Sequence, residues 1–136
     1  MRFLLILAAP RTGSNQVCTV MGATIPRAGG FEKLKAHGEV FAGNHAFTCT
    51  PSDIEKLVQV TGCQVPRDPG NPAAVQLMRE EPFAALSALW DNREPWQDVV
   101  SVKLFGYHLP RAVTERLLWH GAVAPLVIKR RIIDSY

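Results

Sequence analysis

The side chains best suited by type and spacing to do chemistry lie just past a short apolar run near the amino end. Phe3 to Ala9 is continuously apolar, and Pro10-Arg11-Thr12-Gly13-Ser14-Asn15 follows it. The run reads as a fully buried strand, and the segment after it as a tight glycine turn into a helix. That order makes an anion cradle, because unpaired N–H groups and the positive end of the helix dipole face outward at the helix start. Arg11 adds a permanent fork of donors suited to phosphate or sulfate, and Thr12 and Ser14 add hydroxyls. No Lys-Ser/Thr pair follows Gly13, so the Walker A pattern is absent and ordinary ATPase or GTPase chemistry is disfavoured. The plainer alternative is a junction where Gly13 only lets the chain turn and Ser14 caps the helix.

Three further positions could join such a cradle. Tyr107-His108 leaves the second strong strand, Val99 to Gly106, which is rich in β-branched residues. Lys129-Arg130-Arg131 closes a third strand, Ala124 to Ile128. Glu39 sits in Gly38-Glu39-Val40-Phe41, a short apolar piece that reads as a strand delivering the acid to its end. Taken singly, each has a plain reading: Glu39 as a solvated loop carboxylate, His108 as a loop histidine bonded to backbone. Lys103, in mid-strand, likewise reads as a sheet-edge or solvent-facing residue.

The elements between them complete the pattern. A helix is expected from Ser14 to about Met21, an irregular loop over Ile25 to Gly30, and one or two helical turns within Phe31 to His37. Thr50 can cap a helix with Pro51 at its first position and Gly62 at its end, burying Leu57, Val58 and Val60. Cys63 to Ala73 is a proline-rich loop, and one helix is expected from Pro72 or Glu80 to Trp90. Pro110 starts a helix through Val113 and Leu117 to His120, stopped by Gly121. Ile132 to Tyr136 reads as the opening of another helix. Strand, helix, strand, repeated, is the α/β pattern with a parallel sheet, whose ligands sit beyond the carboxyl ends of the strands. Two separated cationic ends there could hold two anionic groups of one ligand.

With 136 residues the chain is expected to form one domain, 1–136. Its 47% hydrophobic and 20% charged content are those of a soluble globular protein. No apolar stretch approaches the roughly 18 residues that cross a bilayer. Arg2, the short apolar run and Ala8-Ala9 mimic a signal peptide but read as strand. A net charge of +3, without a broad basic face or aromatic platforms, points away from nucleic acid and leaves a small anionic ligand open. Cys18, Cys49 and Cys63 are odd in number and show no metal spacing, so reduced thiols in a cytoplasmic protein are expected, with no metal.

Pro10-Arg11-Thr12-Gly13-Ser14 after its strand resembles the 5′-phosphosulfate loop of bacterial-type sulfotransferases that use 3′-phosphoadenylyl sulfate (PAPS). Val127 to Asp134, with Arg130, is similar to their 3′-phosphate motif. His37-Gly38-Glu39-Val40-Phe41 and Lys103 to Pro110 resemble the segments carrying a catalytic Glu and a catalytic His. The resemblance implies a P-loop NTPase-like sulfotransferase fold, a three-layer parallel sheet flanked by helices, and sulfuryl transfer from PAPS to an acceptor hydroxyl or amine. Arg11, Thr12, Gly13, Ser14, Asn15 and Arg130 would bind the donor, and Glu39 or His108 would take the acceptor's proton. The family's Ser after the 3′-phosphate Arg and its later part are missing, so the chain is expected to be a truncated, N-terminal portion. Ile132 and Ile133, left open, would favour self-association. The alternative is a non-catalytic α/β module that binds nucleotide or phosphate.

Overall fold

A computed structural model describes residues 2–9, 17, 34–36, 39–42, 49–95 and 97–129. Within them the chain runs β1 (Phe3–Ala8), β2 (Leu34–Ala36), α1 (Pro51–Thr61), α2 (Pro72–Glu80), α3 (Pro82–Asp91), β3 (Val99–Phe105), α4 (Arg111–Leu118) and β4 (Val123–Ile128). The strands form one sheet in the order β2-β3-β1-β4, and every pairing is parallel. The fold is therefore α/β with a parallel sheet.

Alternation along β1 and β3 divides the sheet into two faces. Phe3 and Leu5 stand beside Val100 and Val102 in register, and with Leu104 they meet Ile54 and Leu57 of α1, Leu86 and Leu89 of α3 and Leu117 of α4 in one core. The handedness of parallel crossovers accounts for this arrangement. The steps β2→β3 and β3→β4 run the same way across the sheet, so right-handed connections put all their helices on one face. These helices and the sheet are two of the expected layers; the expectation of a third falls on residues that are not described. Ile6, Val99, Ser101 and Lys103, on the opposite face, are buried as well.

Local chemistry sets the helix limits. Thr50 caps α1 in a full capping box: Asp53 N–H donates to Thr50 Oγ1 (3.3 Å), and Thr50 N–H donates to Asp53 Oδ2 (2.8 Å). Asn92 Nδ2 also donates to Asp53 Oδ1 (3.1 Å), which ties the end of α3 to the start of α1. Gly62 ends α1 at φ +72°, a left-handed conformation that glycine adopts without penalty. The single helix expected up to Trp90 is instead two, α2 and α3. Pro82 lacks an N–H and pushes Glu81 out of helical geometry (φ −119°, ψ 58°), so the chain bends there.

Two other expectations are corrected. The second strand is not Gly38–Phe41. It is Leu34–Ala36, in the segment expected to be helical, and Glu39–Ala42 is a turn closed by Ala42 N–H to the Glu39 carbonyl (2.9 Å). Pairing with β3 outweighs the weak local preference of Leu-Lys-Ala. Val60 does not belong to the buried face of α1; it is 54% exposed, whereas Ile54 and Leu57 are each 1%. Cys49 is buried against Met78 and Cys63 is exposed; both are free thiols. Burial, helped by the nearby Asp53 carboxylate, pushes the Cys49 thiol up to about 12.

These packing differences have measurable outcomes. Leu57→Ala should lower unfolding stability by ~2–5 kcal/mol, and Val60→Ala should change it by no more than ~0.5 kcal/mol, both read by urea denaturation. Of Cys49 and Cys63, only Cys63 should react with a thiol reagent on the native protein, as a Cys63→Ser variant would reveal.

Candidate functional site

Neighbouring strands whose outgoing connections part to opposite sides mark the ligand crevice of an open parallel sheet. Here the strands are β1 and β3: β1 leads to β2 on one side, and β3 leads to β4 on the other. The carboxyl ends of β1, β3 and β4 finish level, since Ala8 is in register with both Phe105 and Ile128. The opposite edge is closed by Trp90, whose ring carries the Arg93 guanidinium at 3.7 Å and meets Phe3 edge-on.

Toward the carboxyl ends of the strands three ionisable side chains converge. Glu39 lies in the turn after β2, Lys103 near the end of β3, and His108 in the turn leaving β3. Their exposures are 7%, 4% and 2%, so none is a surface group. Lys103 Nζ lies 2.6 Å from Glu39 Oε1, and His108 Nε2 lies 4.0 Å from Glu39 Oε2. The solvated carboxylate and the solvent-facing mid-strand lysine expected from the sequence are thus a buried ion pair. β3 is an inner strand between β2 and β1, and an ammonium there needs its counter-charge at bonding distance. Its charge also lies 5.1 Å from the Phe105 ring.

His108 is held by its own turn. Its N–H donates to the Phe105 carbonyl (3.0 Å), and its Nδ1 accepts from the Phe105 N–H (3.2 Å). The expectation of backbone bonding holds for this ring, and it fixes the tautomer: with Nδ1 accepting, the proton of the neutral imidazole sits on Nε2. Nε2 is buried without a hydrogen-bond partner among the described residues. Phe105 and Tyr107 pack on the ring at 5.1 and 4.8 Å. Burial holds the imidazole below its ordinary range. The Glu39 carboxylate pulls it up, and Arg79 and Lys103 push it down.

The turn that carries Glu39 is itself anchored. Val40 and Phe41 are fully buried, and Arg79 Nε of α2 donates to the Phe41 carbonyl (2.7 Å). At the ends of β1, β3 and β4, a cavity of about 250 Å³ is lined by apolar residues such as Leu7, Leu104 and Val127, with Thr114 of α4. Sequence reasoning gave no sign of the cavity. Lys103 was visible, but its burial follows only from the strand order.

The expected donor-binding residues Arg11, Thr12, Gly13, Ser14, Asn15 and Arg130 lie outside the described residues. So do the helix expected from Ser14 to Met21 apart from Val17, Cys18, the Ile25–Gly30 loop, and Ile132 to Tyr136. Of the expected site residues, the structure brings Glu39 and His108 together. Among the described residues no group of three or more His, Cys, Asp or Glu is gathered to hold a metal, and no helix is long and apolar enough to cross a membrane. No family model matches the chain, and neither a curated protein nor a solved structure does.

Breaking the ion pair from one side should be severe. Lys103→Met should remove ~3–5 kcal/mol of unfolding stability, because it takes one charge from a buried ion pair. Adding Glu39→Gln to it should restore part of the loss, which urea unfolding of the single and double variants would measure. His108 makes an opposite, pH-linked contribution. Its folded-state value is depressed, so the unfolded chain binds more protons below the ordinary ~6.5. Stability should therefore be whole above that pH and decline as pH falls through it. His108→Gln should flatten this slope in thermal melts taken across the range.

Proposed function

We propose that this chain is a PAPS-dependent sulfotransferase, or the N-terminal portion of one, with a P-loop NTPase-like fold. The observation that carries the reading is the meeting of Glu39 and His108, buried and next to Lys103, at the switch-point edge. The strands leading into Arg11 and Arg130 are hydrogen-bonded neighbours and end level at that same edge. That geometry suits a ligand with two separated anionic groups and a reacting centre between them.

In this reading Arg11 and the N–H groups of residues 12–15 hold the phosphosulfate, and Arg130 holds the 3′-phosphate. The acceptor oxygen or nitrogen bonds to sulfur while the bond from sulfur to the phosphosulfate oxygen breaks. Adenosine 3′,5′-bisphosphate leaves with that electron pair, stabilised by Arg11. Glu39 takes the acceptor's proton. The tautomer of His108 favours this assignment over the histidine: its Nδ1 lone pair is already engaged and its Nε2 carries a proton, so it can donate but not accept there. His108 serves as an N–H donor at the reacting corner.

A non-catalytic nucleotide-binding module is the second reading, and one observation favours it: Glu39 is already committed to Lys103. Calorimetric titration with adenosine 3′,5′-bisphosphate tests both readings, which expect micromolar binding that Arg11→Ala abolishes. Absence of binding by the folded chain would overturn both. Transfer from PAPS to a panel of phenols, sugars and amines then separates them. Glu39→Gln should keep binding and lose ~10²–10⁴-fold in rate; an undiminished rate would remove Glu39 as the base. Binding without transfer by the unaltered chain would support the module.

A further inference from the structure

Two donor groups meet at the turn after β2 with bonding capacity left over. The first is His108, whose Nε2–H is fully buried and has no hydrogen-bond partner among the described residues. A buried N–H left unmade is costly, and a partner brought from outside would relieve it. The second is Arg79, half-buried in the last turn of α2. Its Nε donates to the Phe41 carbonyl (2.7 Å), and its Nη groups have no partner among the described residues. That bond fixes the guanidinium in place and leaves the fork of its outer nitrogens open. Both donors stand on the same turn: Phe41 follows Glu39 by two residues, and Glu39 Oε2 lies 4.0 Å from His108 Nε2. The Arg79 charge reaches the ring as well and helps to hold the imidazole neutral. The Glu39 carboxylate at this corner is met by Lys103 at 2.6 Å, which offsets its charge. A neutral N–H and a guanidinium donate and do not accept, so together they select an oxyanion.

We infer that Arg79 and His108 form an oxyanion pocket that recognises an acidic group of the acceptor, a carboxylate or a sulfate, which makes Arg79 a specificity-determining residue. The inference rests on the sulfotransferase reading for the identity of that ligand as the acceptor, since the donor's own anions are held there by Arg11 and Arg130. The pocket itself can be observed without donor or transfer.

The test is titration of inorganic sulfate into the full chain at constant ionic strength, with chloride as the reference anion. NMR follows the His108 Nε2–H and the Arg79 guanidinium. Sulfate should move both resonances saturably with one dissociation constant, and chloride should move neither. Arg79→Gln, read at His108, and His108→Phe, read at Arg79, should each weaken binding by about 10-fold or more, the loss of one charged hydrogen bond. Arg79→Lys keeps the charge but cannot hold the Phe41 carbonyl and the anion together, so it should weaken binding by a similar factor. Undiminished binding in Arg79→Lys would leave charge alone as the cause and overturn the inference. Undiminished binding in His108→Phe, or no sulfate response at His108, would overturn it too. If the sulfate-free amide shifts of Val40 and Phe41 show that an Arg79 variant has lost the turn, His108→Phe decides. Arg11→Ala should lose bisphosphate and keep the sulfate response. Loss of both would put the anion in the Arg11 cradle, which overturns the pocket and spares the sulfotransferase reading. Sulfate binding without any bisphosphate binding by the unaltered chain would do the reverse.

Discussion

An ammonium buried in the middle of a parallel sheet must have its counter-charge brought to it. Lys103 occupies that position, and no residue of its own strand can supply the anion. The carboxylate comes from Glu39, which follows β2 by three residues. β2 must therefore lie beside β3, and the turn after it must be pinned. Both conditions are met: Val40 and Phe41 are buried, and the Arg79 guanidinium grips the Phe41 carbonyl. A three-residue strand with little intrinsic β preference is thus held by the needs of one charge on its neighbour, together with the burial of the turn that follows it.

The same constraint gives three side chains in one corner three different characters. Lys103 and Glu39 neutralise each other at 2.6 Å. His108, packed between Phe105 and Tyr107, is kept uncharged by burial despite the nearby carboxylate. Burial thus leaves a neutral N–H donor standing beside a buried ion pair. The corner lies at the edge where the connections of β1 and β3 diverge, the place an open parallel sheet leaves uncovered by its own crossovers.

Much of this frame was legible in the sequence where local chemistry decides. The apolar runs of β1 and β3, the Thr50–Asp53 capping box, the Gly62 stop and the Pro110 helix start are each written within a few residues and stand in the fold. What was not legible depends on distant partners. Leu34-Lys35-Ala36 has no strand signal of its own and becomes β2 only through β3. Lys103 looks like a surface residue until the order β2-β3-β1-β4 encloses its strand. Glu39 and His108 were picked out by resemblance, but their 4.0 Å separation and the tautomer of the ring belong to turns whose geometry no spacing rule supplies. The break at Pro82 was written in the chain and outvoted by the continuous apolar face of Phe83, Leu86 and Leu89.

The order of the strands also bears on how the molecule comes to be made. Of the described elements β1 is made first, yet both of its partners, β3 and β4, are encoded near the other end of the described chain. Its strand partners are not available until roughly a hundred further residues are synthesised, on the order of 5–20 s at usual elongation rates. The α1–α3 segment can gather its helices during that wait, but the sheet cannot begin from its own centre. Cotranslational folding of this protein is therefore back-loaded, and a nascent chain stalled before β3 would hold its central strand as a template for the wrong partner.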